Sequence, residues 1–376
     1  MSRKQEDLNV CIFSPLKNAY SETFIKNHIV HLPFNKIVLN GAELNQLSSN
    51  DRPLLSPALV SRIGRKIARK FISEENYFEK KKLRAFLKEN KIDVVLAEYG
   101  HIGTLIYSAC SDLGIPLVVH FHGNDASHQP TLELLGQQYR EMFTYASTTI
   151  AVSRSMVQRL LKLGALPDRL VYNCYGIDTT LFQAAEKKFG RPTFVSVGRF
   201  VEKKAPQLTL AAFAAARQSQ PSIRLIMIGD GPLLEACKQL AKAYKLEDSV
   251  EFAGILPPEK VSSIVSQSLA FVQHSVIAAD GGAEGTPLAI LEAGACAVPV
   301  ISTRHEGIKD VVIENETGIL VDEFDIDGMT QAMIRLAANP AQGQEMGAKA
   351  RAHILQHYTL SRHIDALAER ISAAAK

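Results

Sequence analysis

Sequence patterns that mark several common kinds of catalytic site are absent from this chain. It has no H-E-x-x-H, no paired Cys/His spacing, no D-x-D directly after a predicted strand, and no G-x-S-x-G or G-x-x-x-x-G-K-[ST] motif. The first three patterns hold metal ions, and the last two build the nucleophile of α/β-hydrolases and the phosphate loop of P-loop nucleotidases. These absences argue against those classes of enzyme.

Long hydrophobic runs, clustered cysteines and a strong net charge are also missing. No apolar run approaches the roughly 18 residues of a membrane span, and the first residues lack the hydrophobic region of a signal peptide. The net charge of +3 is too small to indicate a nucleic-acid partner. The cysteines stand singly, as free thiols do in a reducing compartment; they are Cys11, Cys110, Cys174, Cys237 and Cys296. We therefore expect a cytoplasmic enzyme.

What the chain does contain is a globular composition and a regular alternation of strand and helix patterns. Its 376 residues, 46% hydrophobic and 22% charged, suit two domains of roughly 150 to 200 residues each. The alternation runs to residue 173, and it resumes at 193 after a polar stretch over 184–192 that we interpret as a linker. It predicts an α/β fold of two doubly wound parallel sheets, with ligands bound where the strands end.

A loop over residues 280–287, rich in glycine and ending in proline, runs directly into a predicted helix over Leu288–Ala295. Glu284 and Glu292 lie on either side of the junction. A helix start of this kind presents unpaired N–H groups and the positive end of the helix dipole to an anion. In isolation, E-x7-E is more typical of an ordinary βα turn with one solvated and one dipole-stabilised glutamate.

Two glycine-containing turns lie after strands of the second half. Arg199 and Lys204 follow the first of these strands, and their two charges could clamp a diphosphate or form a solvated basic loop. Gly231 belongs to a G-D-G-P turn that either lets the backbone approach a ligand or is purely structural.

Polar residues also end two predicted strands of the first half. His122 and Asp125 follow one strand, and Glu98 and His101 follow its neighbour. Because parallel strands end at the same edge of a sheet, these side chains either face the cleft opposite Lys204 or are satisfied locally by the backbone.

Residues 62–91 form the most basic stretch, with eleven Lys and Arg against four Asp and Glu. Apolar residues at helical spacing among these charges predict an amphipathic helix. Such a helix either makes a peripheral contact with an anionic membrane or presents a solvated basic face.

Taken together, the motifs resemble the retaining glycosyltransferases of family 4, which have the GT-B fold. "AEGTPLAILEA" contains the E-x7-E pair, "GRFVEKK" is the basic signature, and "GDGP", "EFAGILP", "VSRSM" and "YGIDTTLF" follow the family's order. "YSETFI" and "FHGNDAS" are similar to the branch that builds bacterial exopolysaccharides. The resemblance implies two Rossmann-like domains facing each other across a cleft: residues 1–183 on the acceptor side, and residues 193–357 on the donor side. A helix within 358–376 would cross back to the first domain.

The resemblance also implies roles for the matching residues. Arg199 and Lys204 would bind the donor diphosphate, and His122 would face the anomeric centre. Glu284 would contact the donor sugar, and Glu292 the ribose. The other donor-binding positions are Gly285, Thr286, Pro287 and Leu288 at the helix start, and Gly231, Phe252, Ala253, Gly254 and Ile255 toward the nucleotide. Those expected on the acceptor side are Ser21, Glu22, Glu98, His101 and Asp125.

Two positions depart from the family pattern. Residues 18–24 replace the glycine-rich loop that many relatives have after the first strand, and this puts phosphate contacts there in doubt. Ala205 stands where glycine often follows the signature lysine, which is expected to affect only the turn.

The reaction implied is a front-face transfer of a hexose, without a metal or another cofactor, from a nucleotide sugar to a saccharide or lipid-linked saccharide. A UDP sugar is preferred and a GDP sugar is second. Two other classes stay open: a GT-B epimerase or phosphorylase, and a non-catalytic nucleotide-sugar-binding protein. The sequence leaves the oligomeric state open.

Overall fold

The computed structural model describes residues 5–17, 22–54, 77–186 and 190–376. Within these residues the chain forms two α/β units, each built on one sheet. The first eight strands belong to one sheet and the next six to the other. The change of sheet falls between residues 172 and 193, where the linker was predicted.

The first sheet has the strand order β4-β3-β2-β1-β5-β6-β7-β8. Neighbours from β2 through β8 pair in parallel, while β3 and β4 add a short antiparallel edge beside β2. β5 and β6 are buried along their whole length because helices cover both faces. The strands are β1 Asn9–Ser14, β2 Asn35–Asn40, β3 Ser48–Ser49, β4 Arg52–Pro53, β5 Val94–Glu98, β6 Leu117–Phe121, β7 Thr148–Ala151 and β8 Leu170–Tyr172.

The second sheet is parallel throughout, in the order β11-β10-β9-β12-β13-β14. Its order reverses between β9 and β12, which is the position where doubly wound sheets open a ligand crevice. The strands are β9 Thr193–Val197, β10 Arg224–Ile228, β11 Val250–Gly254, β12 Ala270–Gln273, β13 Val300–Thr303 and β14 Gly318–Val321.

Helices connect the strands and cover both sheets. In the first unit they are α1 Thr23–His31, α2 Tyr77–Glu89, α3 Gly100–Leu113, α4 Gln129–Tyr145 and α5 Arg154–Leu163. In the second they are α6 Pro206–Ser219, α7 Leu234–Ala243, α8 Pro258–Ser266, α9 Leu288–Ala295, α10 Ile308–Val311, α11 Ile326–Ala338 and α12 Pro340–His357, followed by α13 Leu360–Ala374.

Helix α13 leaves the second unit and packs on the first. Its apolar face, including Ile364, Leu367 and Ile371, is buried in one core cluster with Val10 and Ile12 of β1. Thr359 caps the start of the helix by accepting a hydrogen bond from the backbone N–H of Arg362. The helix therefore covers part of one face of the first sheet, beside residues from the end of α1.

The predicted α/β fold with two parallel-sheet domains across a cleft is confirmed. Several short elements were not predicted. The pair β3 and β4 is only two residues per strand, and β14 is a four-residue strand that follows an irregular stretch. Segments this short carry no readable period, because a pattern needs several repeats.

The basic segment over 62–91 falls partly outside the described residues. Its described part contains α2, which buries Leu83 and Leu87 and leaves Lys81, Lys82 and Lys88 exposed. No helix in the described ranges is long and apolar enough to cross a lipid bilayer.

Candidate active site

A cleft of about 640 Å³ lies between the carboxyl ends of the two sheets. This is the position at which α/β sheets bind ligands. The first unit contributes a wall that includes Glu22, Phe24, Tyr99, His101, His122, Asn124 and Tyr175. The second contributes Gly198, Arg199, Lys203, Lys204, Gly229, Ile255, Leu256, Glu284, Gly285, Thr286, Pro287, Leu288 and Glu292.

The start of α9 forms part of the donor-side wall. Pro287 is the residue before the helix, and it has no side-chain group that could cap the backbone N–H groups of the first turn. Pro287 and Leu288 both line the cleft. The positive end of the helix is therefore directed at the cleft, where it is available to an anion.

The loop before α9 is hydrogen-bonded to the first unit. The hydroxyl of Thr286 donates to the backbone oxygen of Val152 at 2.6 Å, and the backbone N–H of Ala283 donates to Oγ of Ser127 at 3.0 Å. The two units thus meet at the loop that carries Glu284. Opening the cleft would break these bonds.

Glu284 is buried between two lysines. Its Oε2 lies 3.4 Å from Nζ of Lys204, and its Oε1 lies 3.7 Å from Nζ of Lys203. Burial alone would raise the pKa of Glu284, but these ammonium groups, with His305, outweigh it and lower the pKa to about 2. Glu284 is therefore a carboxylate at neutral pH. His305 also accepts the backbone N–H of Glu284, at 3.2 Å.

Glu292 has the opposite electrostatic environment. It lies in α9, one turn inside the helix, and faces the cleft. Burial raises its pKa to about 7, and the nearby charge of Lys204 only partly opposes the rise. The two glutamates of the E-x7-E pair lie only eight positions apart, yet they ionise over different pH ranges.

The basic residues after β9 converge on the same place. Nζ of Lys204 donates to Oε1 of Gln273 at 3.3 Å, and burial lowers the pKa of Lys204 while Glu284 opposes that change. Gly198 has a φ of +156°, and a Cβ there would lie 2.9 Å from the Lys204 side chain. Glycine at this position lets the lysine lie against the strand end. Arg199 is exposed at the cleft.

His122 lines the cleft, but both of its ring nitrogens are engaged within the protein. Nε2 donates to Oε2 of Glu98 at 2.9 Å, and Nδ1 accepts from the hydroxyl of Tyr175 at 2.6 Å. The ring also packs on Phe24, with 4.5 Å between centroids. The side chain is held in one orientation, and neither nitrogen is free to bond a ligand in this arrangement.

The residues predicted on the acceptor side divide into two groups. Glu22 and His101 line the cleft, whereas Glu98 and Asp125 are buried beneath its wall. Asp125 accepts the backbone N–H groups of Gly100 and Gly123, each at 2.9 Å, and so fixes the turn. These two carboxylates hold the wall rather than reach an acceptor. The predicted Ser21 lies outside the described residues.

The residues predicted to bind the nucleotide also divide into two groups. Ile255 is half exposed and lines the cleft, while Phe252 packs against Phe200 with ring centroids 6.2 Å apart. Gly231 has a φ of +152° and passes so close to Phe200 that a Cβ would lie 2.6 Å from its carbonyl oxygen. Gly231, Phe252, Ala253 and Gly254 support the wall without forming its surface.

Sequence reasoning did not single out several residues of the site. Lys203 contacts Glu284 and donates to the backbone oxygen of Ala283 at 3.1 Å. Tyr99 lines the cleft, donates to Oε1 of Glu22 at 2.8 Å and has a φ of +80°, which is strained for a bulky residue. The sequence signal that could have identified Lys203 was its position next to Lys204, the signature lysine. Backbone strain leaves no trace in a single sequence.

Two parallel-sheet α/β units that face each other across a cleft, with cations and a helix start on one wall, define a GT-B glycosyltransferase fold. Each of the two units matches a glycosyltransferase family. The family described as "Glycosyl transferases group 1" matches residues 178–353, and that described as "Glycosyltransferase Family 4" matches residues 47–181.

Curated relatives include two bacterial polysaccharide proteins. WcaL of Escherichia coli K12, a glycosyltransferase assigned to colanic acid biosynthesis, is 30% identical over 66% of this chain and 61% of its own. The amylovoran biosynthesis glycosyltransferase AmsK of Erwinia amylovora is 28% identical over 70% of this chain and 65% of its own. The matches thus span less than two thirds of these relatives.

Among solved structures, the Anabaena protein Alr3699/HepE in complex with UDP and glucose has a TM-score of 0.75. The similarity covers 97% of this chain and 100% of that one, at 15% sequence identity. At this level of identity the comparison shows a shared fold.

Proposed function

We propose that this protein transfers a hexose from a nucleotide diphosphate sugar, with UDP as the preferred nucleotide, to a saccharide acceptor in surface polysaccharide synthesis. The observation that carries the proposal is the meeting of Arg199, Lys203, Lys204 and the start of α9 on one wall of the cleft. The family and the relatives in exopolysaccharide synthesis support the class of reaction. The UDP complex of Alr3699/HepE supports the nucleotide.

The charges of this wall match those of a nucleotide diphosphate sugar. Three cations, Arg199, Lys203 and Lys204, line this wall together with the ionised Glu284. The surplus of two positive charges equals the two negative charges of a diphosphate diester. The uncapped N–H groups of α9 add further donors.

Each glutamate has a role that follows from its surroundings. Glu284 is fixed by two lysines at the junction of the units, where its oxygens can accept hydrogen bonds from hydroxyls of the donor sugar. Glu292 lies farther along α9, where it can accept from the ribose. Neither is positioned as the paired acid and nucleophile of a retaining glycosidase, and we assign both to positioning.

The transfer is a front-face substitution without a metal. The bond between the anomeric carbon and the diphosphate oxygen breaks, and an acceptor hydroxyl oxygen bonds to the same face of that carbon. The departing phosphate oxygen takes the hydroxyl proton. Arg199, Lys204 and the start of α9 stabilise the negative charge that grows on the leaving group, which is the main catalytic contribution of the protein.

Replacing the cationic side chains tests the proposal. Arg199→Gln and Lys204→Gln should each lower kcat by about 100-fold, because each removes a charge that stabilises the leaving group. Lys349→Gln is the matched control, since Lys349 is exposed, pairs with Glu345 on α12 and does not line the cleft; its loss should leave kcat unchanged. Nucleotide release is measured with a panel of UDP and GDP sugars and saccharide acceptors.

The same assay separates the alternatives. Full transfer by Lys204→Gln and by Glu284→Gln would contradict the assignment. Conversion of the donor alone into an isomeric nucleotide sugar would identify an epimerase. Donor binding in calorimetry without turnover on any acceptor would identify a binding protein. A thermal-shift screen with UDP and GDP sugars identifies the nucleotide base of the donor, because a bound donor raises the Tm of the protein.

We further propose a lipid-linked acceptor presented at an anionic membrane. The exposed Lys81, Lys82 and Lys88 of α2 support this idea, since each basic residue near such a surface contributes about 1 kcal/mol. Flotation with vesicles tests it. Equal recovery with neutral and with anionic vesicles would contradict the membrane contact.

A further inference from the structure

Behind the wall that carries His122, four histidines and one glutamate meet inside the first unit. His28 comes from α1, Glu98 from the end of β5, His120 from β6 and His363 from α13, and His122 completes the group. All five side chains are buried, and His28, Glu98 and His120 are 0% exposed. Buried groups of this kind are retained only when they are paired or bind an ion.

Every ring nitrogen of three of these histidines lies within hydrogen-bond distance of a polar atom. Nδ1 of His28 donates to Oε1 of Glu98 at 2.7 Å, and Nε2 of His28 lies 2.8 Å from Nε2 of His363. Nδ1 of His363 donates to the backbone oxygen of Cys174 at 2.9 Å. Both nitrogens of His122 are taken by Glu98 and Tyr175.

His120 is the exception. Across the described part of the chain, neither of its ring nitrogens has a hydrogen-bond partner. Its Nδ1 nevertheless points at the cluster, 3.6 Å from Oε2 of Glu98. A buried polar group without a hydrogen-bond partner destabilises the folded state, so the position of His120 beside a carboxylate and another histidine calls for a partner.

We propose that His28, Glu98 and His120 bind a divalent transition-metal ion, with zinc the best fit. One donor atom from each residue lies within 4.8 Å of the others. Bonds of about 2.0–2.1 Å to zinc place ligand atoms roughly 3.3 Å apart, so small side-chain rotations would close the site. Two imidazoles and a carboxylate are zinc ligands, and the ion would give His120 its missing partner.

The position of this site indicates a structural role. The ion would join α1, β5 and β6 beneath the cleft, and α13 would lie beside it, because Nε2 of His363 is 2.8 Å from Nε2 of His28. Glu98 would bind the ion and also keep its hydrogen bond to His122. The ion lies behind the wall and takes no part in the transfer, whose charge is balanced on the opposite side of the cleft.

Metal uptake by the full chain tests the proposal without reference to activity. The chain, freed of metal by dialysis, should take up about one equivalent of Zn²⁺ and show a higher Tm. Co²⁺ in its place should give visible bands that are distinct from those of the hydrated ion. His120→Gln should weaken binding by about 100-fold or more, since changes even behind metal ligands cost 10- to 100-fold.

His353→Gln is the matched control. The ring centroids of His353 and His357 lie 5.0 Å apart on α12, so this pair could bind metal adventitiously. It should keep the equivalent of zinc and the cobalt bands. Loss of both in His353→Gln, or their retention in His120→Gln, would overturn the proposal. Should His120→Gln fail to fold, the wild-type chain decides: absence of tight uptake and of the cobalt bands would refute the site.

Discussion

Replacing Glu292 by glutamine should stabilise the donor-free protein above pH 7. Burial in the wall of the cleft raises the pKa of Glu292 from 4.5 to about 7. A carboxyl whose pKa is raised by folding favours the folded state fully below its unfolded pKa, and that contribution is lost as the pH rises through the folded pKa. Glutamine keeps the shape and cannot ionise, so it removes this loss.

The magnitude follows from the pKa change. A rise from 4.5 to about 7 corresponds to about 3 kcal/mol at pH 8, and to less than about 1 kcal/mol at pH 5. Glu292 keeps partial contact with water in the cleft, which screens its charge and makes the first figure an upper bound. The advantage of the variant should therefore grow with pH.

Urea denaturation at pH 5 and pH 8 measures the effect, with Glu284→Gln as the partner variant. The pKa of Glu284 is lowered to about 2, so its contribution is present above pH 4.5 and is lost as the pH falls through 2. Glu284→Gln should lower stability at pH 8, whereas Glu292→Gln should raise it. If Glu292→Gln were the less stable protein at pH 8, the assigned environment of Glu292 would be wrong.

The donor KM should also depend on the ionisation of Glu292. If the ionised form of Glu292 accepts the ribose hydroxyls, the donor KM of the wild type should fall about tenfold between pH 6 and pH 8. The KM of Glu292→Gln should stay flat over this range. A flat wild-type profile would separate Glu292 from ribose binding.

Two substitutions at the loop before α9 and one addition of metal ions give three more tests. Thr286→Val removes the hydroxyl that donates to Val152, so the free energy of unfolding should fall by about 1–3 kcal/mol in urea, and no change would show that the bond is dispensable. Gly307→Ala would place a Cβ 2.2 Å from the carbonyl oxygen of Gly285, so the loop must shift and the donor KM should rise while circular dichroism is unchanged. Added Mg²⁺ or Mn²⁺ should change kcat by less than about twofold, because protein cations stabilise the leaving group; strong activation would contradict this.

The fold was predictable because its determinants are local. Alternating strand and helix periods identify parallel sheets, and a glycine-rich loop ending in Pro287 marks the start of α9. The direction of individual side chains was not predictable in the same way. Glu98 ends a strand at the cleft edge, yet its side chain turns inward to His28 and His122, and those partners are distant in sequence.

Backbone conformation was equally invisible in the sequence. Ala205, noted only as a departure from glycine, has a φ of +37°, in the left-handed region that favours glycine. Tyr99, at +80°, was passed over although it lines the cleft. Positive φ at residues with side chains depends on the packing around them, which a single sequence does not encode.

The return of α13 to the first sheet constrains how the protein can be made. During synthesis the first unit leaves the ribosome well before residues 360–374, so the apolar face around Val10 and Ile12 waits for a cover while the second unit folds. A fragment ending at residue 183 would expose that face permanently and should aggregate. Supplying the α13 segment in trans, or fusing it ahead of residue 5, should restore a monodisperse first unit.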